Sequence, residues 1–144
     1  MKNVSRLRTP EASAPSVLDE VSASLSPIAQ AIEFQKQVAK AGFEWPSVET
    51  GLAYIREETD ELEEELIRKT DEDAIEAELG DLFFSVLQVA SYLGVDPETA
   101  LRRTNHKFDK RIRYIENALA HKGLSLRTSS LAEKQALWRE AKKA

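Results

Sequence analysis

The segment from Leu79 to Leu93 is the most constraining part of this chain. Leu79, Leu82, Phe83, Phe84, Val86, Leu87, Val89, Ala90 and Leu93 cover most of the circumference of a helix turning by about 100° per residue. A helix that is apolar all round has to be covered all round. One chain of 144 residues leaves one side of it wet, so the expected state is a homo-oligomer, most simply a dimer. Two acids, Glu78 and Asp81, sit inside this apolar stretch. Just upstream, between Glu57 and Glu65, only Thr59 and Leu62 are not Asp or Glu.

The local signals are helical from end to end. Residues 1–25, rich in Ser, Ala, Pro and Thr, read as a flexible tail, and residues 26–144 as one domain. Ser26-Pro27 starts a first helix that stops at Gly42, with Phe43 and Trp45 of the following loop expected to plug one end of the core. Ser47 caps a second helix running to about Lys69. Asp71 or Asp73 opens a third that ends at Gly94. Asp96-Pro97 starts a fourth ending near His121-Lys122-Gly123, with basic residues expected in its last turn. A short last helix follows from about Ser130 to Lys143. With no strand signal and no repeat, the fold class is all-α, a four-helix bundle with a short C-terminal helix.

Composition excludes several chemistries. There is no cysteine, hence no thiolate nucleophile and no zinc-thiolate site. No apolar stretch reaches the roughly 18 residues of a membrane span, and "MKNVSRLRTP" is not followed by a signal-peptide core. A cytoplasmic protein with no membrane partner is expected. The net charge of −5 argues against nucleic-acid binding over the whole surface. The charge is segregated, however: acids gather at 57–65 and 71–81, while Arg102, Arg103, Lys107, Lys110, Arg111 and Arg113 form a later basic block. Such a pair of patches suits joint binding of a metal and an anion, or simply helix pairing.

Helical phase selects among the acids. The second helix carries its apolar stripe on Leu52, Ile55, Thr59, Leu62 and Leu66, with Glu58 and Glu61 on its flank. Glu63 and Glu64 point elsewhere and should be solvated. Glu78 and Asp81 on the third helix have the same i, i+3 relation beside the core. Antiparallel packing of the two helices would bring four carboxylates to one place, where repulsion and desolvation demand a neutralising ion. Oxygen ligands favour a hard divalent cation, Mg²⁺ above all with Mn²⁺ as a substitute. Neither His106 nor His121 follows a Glu by three residues, so the Glu-x-x-His pattern of di-iron bundles is missing. Lys107 and Arg111 form a cationic i, i+4 pair on the fourth helix. Each feature alone is an ordinary solvated face; their combination points to a site.

The same residues carry a family resemblance. "EETDE" (Glu57–Glu61) followed by "ELGD" (Glu78–Asp81), with "GFEWP" ahead and "NHKFDKR" behind, resembles the EExxE…ExxD pattern of MazG nucleoside triphosphate pyrophosphohydrolases. The likeness runs from "FQKQVAKAGFEWPSVE" to "LWREAKK", and is nearest to the catalytic domain at the C-terminal end of two-domain members. It implies an intertwined all-α homodimer and Mg²⁺-dependent hydrolysis of nucleoside triphosphates to monophosphate and pyrophosphate, by water attack at the α-phosphorus. It implies Glu58, Glu61, Glu78 and Asp81 as metal ligands, with Glu57, Glu58 and Glu61 as the catalytic carboxylates and Glu57 the base candidate. Nucleotide contacts map to Lys107 and Arg111, to Asn105 at the head of the same motif, and to Trp138. Many members have Lys at the position of Tyr54, where this sequence departs.

Two other readings stay open at this level. One is a specialised enzyme of the same superfamily, acting on dUTP, dCTP or phosphoribosyl-ATP. The other is a non-catalytic dimeric partner domain, against which the four intact carboxylates weigh. Nucleic-acid binding by the basic block is disfavoured because Leu101, Phe108, Ile112, Ile115 and Leu119 are expected to hold that helix in the bundle.

Overall fold

The computed structural model describes residues 14–69 and 71–144; most of the tail expected to be flexible, residues 1–13, lies outside them. The described residues form five α-helices and no strand: α1 (Pro27–Lys40), α2 (Val48–Arg68), α3 (Glu72–Tyr92), α4 (Pro97–Ala120) and α5 (Leu131–Ala141). This is the all-helical architecture expected from the sequence. None of these helices is long and apolar enough to cross a membrane. Ahead of α1, residues 16–25 make local turns, with Asp19 N–H donating to the Ser16 carbonyl and Val21 N–H to that of Leu18.

Local chemistry places each helix start. Unpaired N–H groups of a first turn need acceptors, and short polar side chains supply them. Ser26 accepts from Ala29 N–H at 3.3 Å with Pro27 beside it, Ser47 from Thr50 N–H at 3.3 Å, and Asp71 from Ala74 N–H at 2.9 Å. Asp96 accepts from Glu98 N–H at 3.1 Å. Ser130 and Glu133 cap α5 reciprocally, each side chain accepting from the other's backbone N–H. At the end of α3, Gly94 takes φ +67°, a backbone state that only glycine adopts cheaply. The helix α4 ends at Ala120, so His121 and Lys122 fall just past its last turn rather than in it.

Two compact units are formed, one running to Gly94 and the other from Val95 to Ala144. In the first, α3 packs along α2 and against α1. Few residues separate Arg68 from Glu72, so α3 doubles back on α2. The buried positions here are small or polar: Gln35, Gly51 and Ser85. Trp45 lies on α2 where Gly51 leaves room. A Cβ built at Gly51 would stand 2.5 Å from Trp45 Cζ3 and 3.0 Å from Val89 Cγ2. The Trp45 ring also stacks on Tyr54, with centroids 5.6 Å apart and planes 16° apart. Phe43 departs from its expected role as a plug. It is 77% exposed and follows Gly42, whose φ is +91°, so its ring lies at the rim of a groove rather than in a core.

The second unit is α4 packed on α5. Its core is Ile115, Leu119 and Leu137, with Ala118, Leu124, Leu126 and Trp138 packed around it. Only this end of α4 is covered. Leu101 and Phe108, expected to hold the helix in a bundle, are each 56% exposed. Much of α3 is wet as well: Phe83 is 65% exposed, and Leu79, Phe84, Val86 and Leu93 are exposed too.

The close approach at Gly51 yields a direct test. Gly51→Ala should destabilise the fold by about 1–3 kcal/mol, because the new methyl forces the Trp45 ring out of place. A lower midpoint in urea unfolding checks this, whereas an unchanged midpoint would mean that Trp45 does not rest on α2.

Candidate metal centre and phosphate face

Two i, i+3 pairs build the acidic site. α2 presents Glu58 and Glu61, and α3 presents Glu78 and Asp81. One carboxylate oxygen from each of Glu58, Glu78 and Asp81 lies within 4.8 Å of the others. Glu58 and Glu78 are half-buried, while Asp81 opens to solvent. The fourth expected ligand, Glu61, is outside this tight set but stands against Glu78, whose proton affinity it raises. Glu57 is exposed and reaches the cluster only through its charge on Glu58.

The electrostatics are unfavourable as they stand. Burial pushes the Glu58 carboxyl above the ordinary glutamate value, and the charges of Glu61, Asp81, Glu78 and Glu57 push it further. Burial does the same to Glu78, followed by the charge and hydrogen bond of Glu61 and the charges of Asp81 and Glu65. The Oε2 atoms of Glu58 and Glu78 are buried without any hydrogen-bond partner. Among the described residues the ion pairs are Lys36–Glu33, Arg68–Glu64 and Arg113–Asp109, none of which touches the cluster. Converging hard oxygens on residues two of which also carry an orphaned oxygen fit a divalent cation, which would take acceptor capacity left unused among the described residues.

Beside the acids lies a groove of about 460 Å³ that the sequence did not disclose. Glu58 and Asp81 form part of its wall, with Trp45, Tyr54, Phe84 and Gln35 among the rest. Gln35 donates from Nε2 to the Phe84 carbonyl at 2.9 Å. The one advance signal for this region was Gly51, a glycine inside a helical pattern, which marks a close approach.

The second unit gathers the expected phosphate contacts. Lys107, Lys110, Arg111, Tyr114 and Lys142 line a hollow of about 400 Å³. Trp138 acts as its anchor: the Arg111 guanidinium lies 5.4 Å and Lys142 Nζ 5.8 Å from the ring centre, and Phe108 packs 5.9 Å away. Cation–π contact holds the long arginine stem in one place and keeps its donors free for an anion. Lys142 was not expected in this group; its place beside Trp138, one helical turn on, was the available clue. The basic block splits, since Arg113 is tied to Asp109 at 2.9 Å. Asn105 stands exposed on α4 and does not line the hollow.

Among the described residues, the first unit thus carries a carboxylate cluster on α2 and α3, and the second a cationic face on α4 and α5. Residues 46–115 match the family described as MazG nucleotide pyrophosphohydrolase domain. It is similar to a nucleoside triphosphate pyrophosphohydrolase of Escherichia coli K12, 33% identical over 129 residues, which covers 89% of this chain and 49% of that protein. A Thermotoga maritima protein named nucleoside triphosphate pyrophosphohydrolase/pyrophosphatase MazG is 32% identical over 125 residues, 87% of this chain and 48% of its own length. The uncharacterised YabN of Bacillus subtilis is 41% identical over 68 residues, 47% of this chain and 14% of YabN. The chain thus spans about half the length of the first two relatives.

Raised carboxyl values have a measurable consequence without metal. Glu78 binds its proton more tightly folded than unfolded, so its contribution to stability is present below the unfolded value and lost as pH rises through the folded one. Metal-free Glu78→Gln should therefore melt higher than wild type at about pH 8 and nearly the same at about pH 4. A thermal melt series with chelator checks this, and a lower melting temperature at about pH 8 would mean that Glu78 is held by a favourable partner.

Proposed function

We propose that this chain hydrolyses nucleoside triphosphates to nucleoside monophosphate and pyrophosphate, at a divalent-cation site made by Glu58, Glu61, Glu78 and Asp81 within residues 26–144. The observation that carries the reading is the meeting of the Glu58, Glu78 and Asp81 oxygens within 4.8 Å with two of the glutamate oxygens orphaned. The names of the relatives in Escherichia coli and Thermotoga maritima support the substrate class. Mg²⁺ suits a carboxylate set completed by water and phosphate, with Mn²⁺ the nearest substitute.

A bound cation of this kind supplies charge neutralisation for the phosphates and acidifies a water for attack at the α-phosphorus. The chain's own side chains do the rest. The four carboxylates fix the position of the positive charge. Glu57, exposed and acting on Glu58 through its charge, is the group we assign to take a proton from water. Arg111, steadied on Trp138, and Lys107 offer forked and point-charge donors to phosphate oxygens. Asn105 is an accessory contact on the same helix. No covalent nucleophile is required, since positioning and charge stabilisation dominate phosphoryl transfer.

The working form is a homodimer, in the cytoplasm, with neither nucleic acid nor membrane as partner. Exposed Phe83, Val86, Leu93, Leu101 and Phe108 form too much apolar surface for a free chain, and a second copy covers it. Light scattering should give about twice 16.2 kDa; a fully helical, active monomer would sink the dimer.

Product analysis tests the chemistry. Incubation with each common NTP and dNTP plus Mg²⁺ should release monophosphate and pyrophosphate together, and chelation should stop it. Release of NDP and orthophosphate would place the attack at the γ-phosphorus and overturn the reading. Asp81→Asn and Glu61→Gln should each lower kcat by roughly 100-fold or more with the fold intact. Lys107→Ala and Arg111→Ala should weaken nucleotide use more than metal binding. No turnover by a folded, metal-binding protein would instead favour the partner-domain reading.

A further inference from the structure

Among the described residues of the first unit, Gln35 is the most deeply buried side chain, 3% exposed, and it is polar. Its Nε2 donates to the main-chain carbonyl of Phe84 on α3. A carbonyl only accepts, so this bond fixes which way the carboxamide faces and leaves no ambiguity between its oxygen and nitrogen. The Oε1 atom is then left buried with no hydrogen-bond partner. Native chains satisfy nearly all such atoms, and an exception asks for a ligand or a function. Gln35 lines the groove whose wall also holds Glu58 and Asp81, two of the three carboxylates of the candidate metal centre.

The rest of the groove suits a flat, weakly polar heterocycle. Trp45 and Tyr54 stack at 5.6 Å with their planes 16° apart, and both line it together with Phe84. Its volume of about 460 Å³ falls within the roughly 300–1,000 Å³ of small-molecule pockets. Aromatic faces accept any base, whereas one fixed acceptor tells a base with a donor at that point from one without. We propose that this groove takes the nucleobase of the substrate, and that Gln35 Oε1 accepts a hydrogen bond from an exocyclic amino group on the base. The proposal rests on the triphosphate reading above. It makes Gln35 a specificity-determining residue and favours adenine and cytosine nucleotides over analogues without the amino group. Shielded from bulk water, the oxygen gains from a donor carried in with the ligand rather than from solvent.

A ligand-deletion cycle tests this apart from catalysis. Binding is measured by calorimetry with Mg²⁺ and α,β-methylene triphosphates, comparing adenosine with its 6-deamino analogue and cytidine with its 4-deamino analogue. In wild type, loss of the amino group should weaken binding about tenfold in one or both pairs. In Gln35→Met the same loss should change binding by less than about twofold. Equal affinity within both pairs for wild type, or the same discrimination kept by Gln35→Met, overturns the proposal. Should Gln35→Met fold poorly, the wild-type comparison decides alone. Discrimination in binding without turnover of the natural triphosphates upholds the groove and sinks the hydrolase reading, while turnover without discrimination sinks the groove alone.

Discussion

The repulsion at the α2–α3 seam governs the first unit. Glu58, Glu78 and Asp81 are held with oxygens within 4.8 Å, and both half-buried glutamates have their carboxyl values raised. A seam chosen for stability alone would carry Gln or Leu there. This one keeps the charge because the helices leave it nowhere to go. The i, i+3 spacing on each helix faces both pairs toward the seam, and side-chain caps at Ser47 and Asp71 fix where each helix begins. A divalent ion held at such a seam would offset the repulsion between its carboxylates. In the second unit, Arg111 of α4 and Lys142 beyond α5 lie against the Trp138 ring.

What the sequence disclosed was local in its physics. Caps at Ser26, Ser47, Asp71, Asp96 and Ser130 are short-range competitions for backbone N–H groups, so they could be read residue by residue. The seam was legible too, because helical phase alone puts Glu58, Glu61, Glu78 and Asp81 beside apolar stripes. What stayed hidden depended on tertiary approach. Phe43 looked like a plug because an aromatic ring beside a helix end usually packs, and no pattern reveals which way a loop turns it. Gln35 looked like an ordinary helical glutamine, since nothing local says that α3 will bring the Phe84 carbonyl to 2.9 Å. Leu101 and Phe108 continue the α4 stripe of Ile115 and Leu119, and periodicity cannot say that the latter two are buried while the former stay 56% exposed.

The two units differ in what they bury. In the second, Ile115, Leu119 and Leu137 form a dry apolar core against which Trp138 is fixed, and burial of such side chains stabilises by about 1.5–3 kcal/mol each. In the first, the buried set is Gln35, Gly51 and Ser85, while Phe83, Phe84, Val86 and Leu79 are left partly wet. An interior lined by an amide, a hydroxyl and a glycine gives little hydrophobic stabilisation. It does give close approach and directed hydrogen-bonding groups, which a binding surface needs and a core does not. Gly51 lets the Trp45 ring down onto α2, and the Phe84 carbonyl locks the Gln35 amide. Its most buried side chains among the described residues, Gln35 and Ser85, line the groove beside the carboxylates, while Phe83, Phe84, Val86 and Leu79 stay exposed. Contiguous exposed apolar surface of this kind is what interaction faces commonly present.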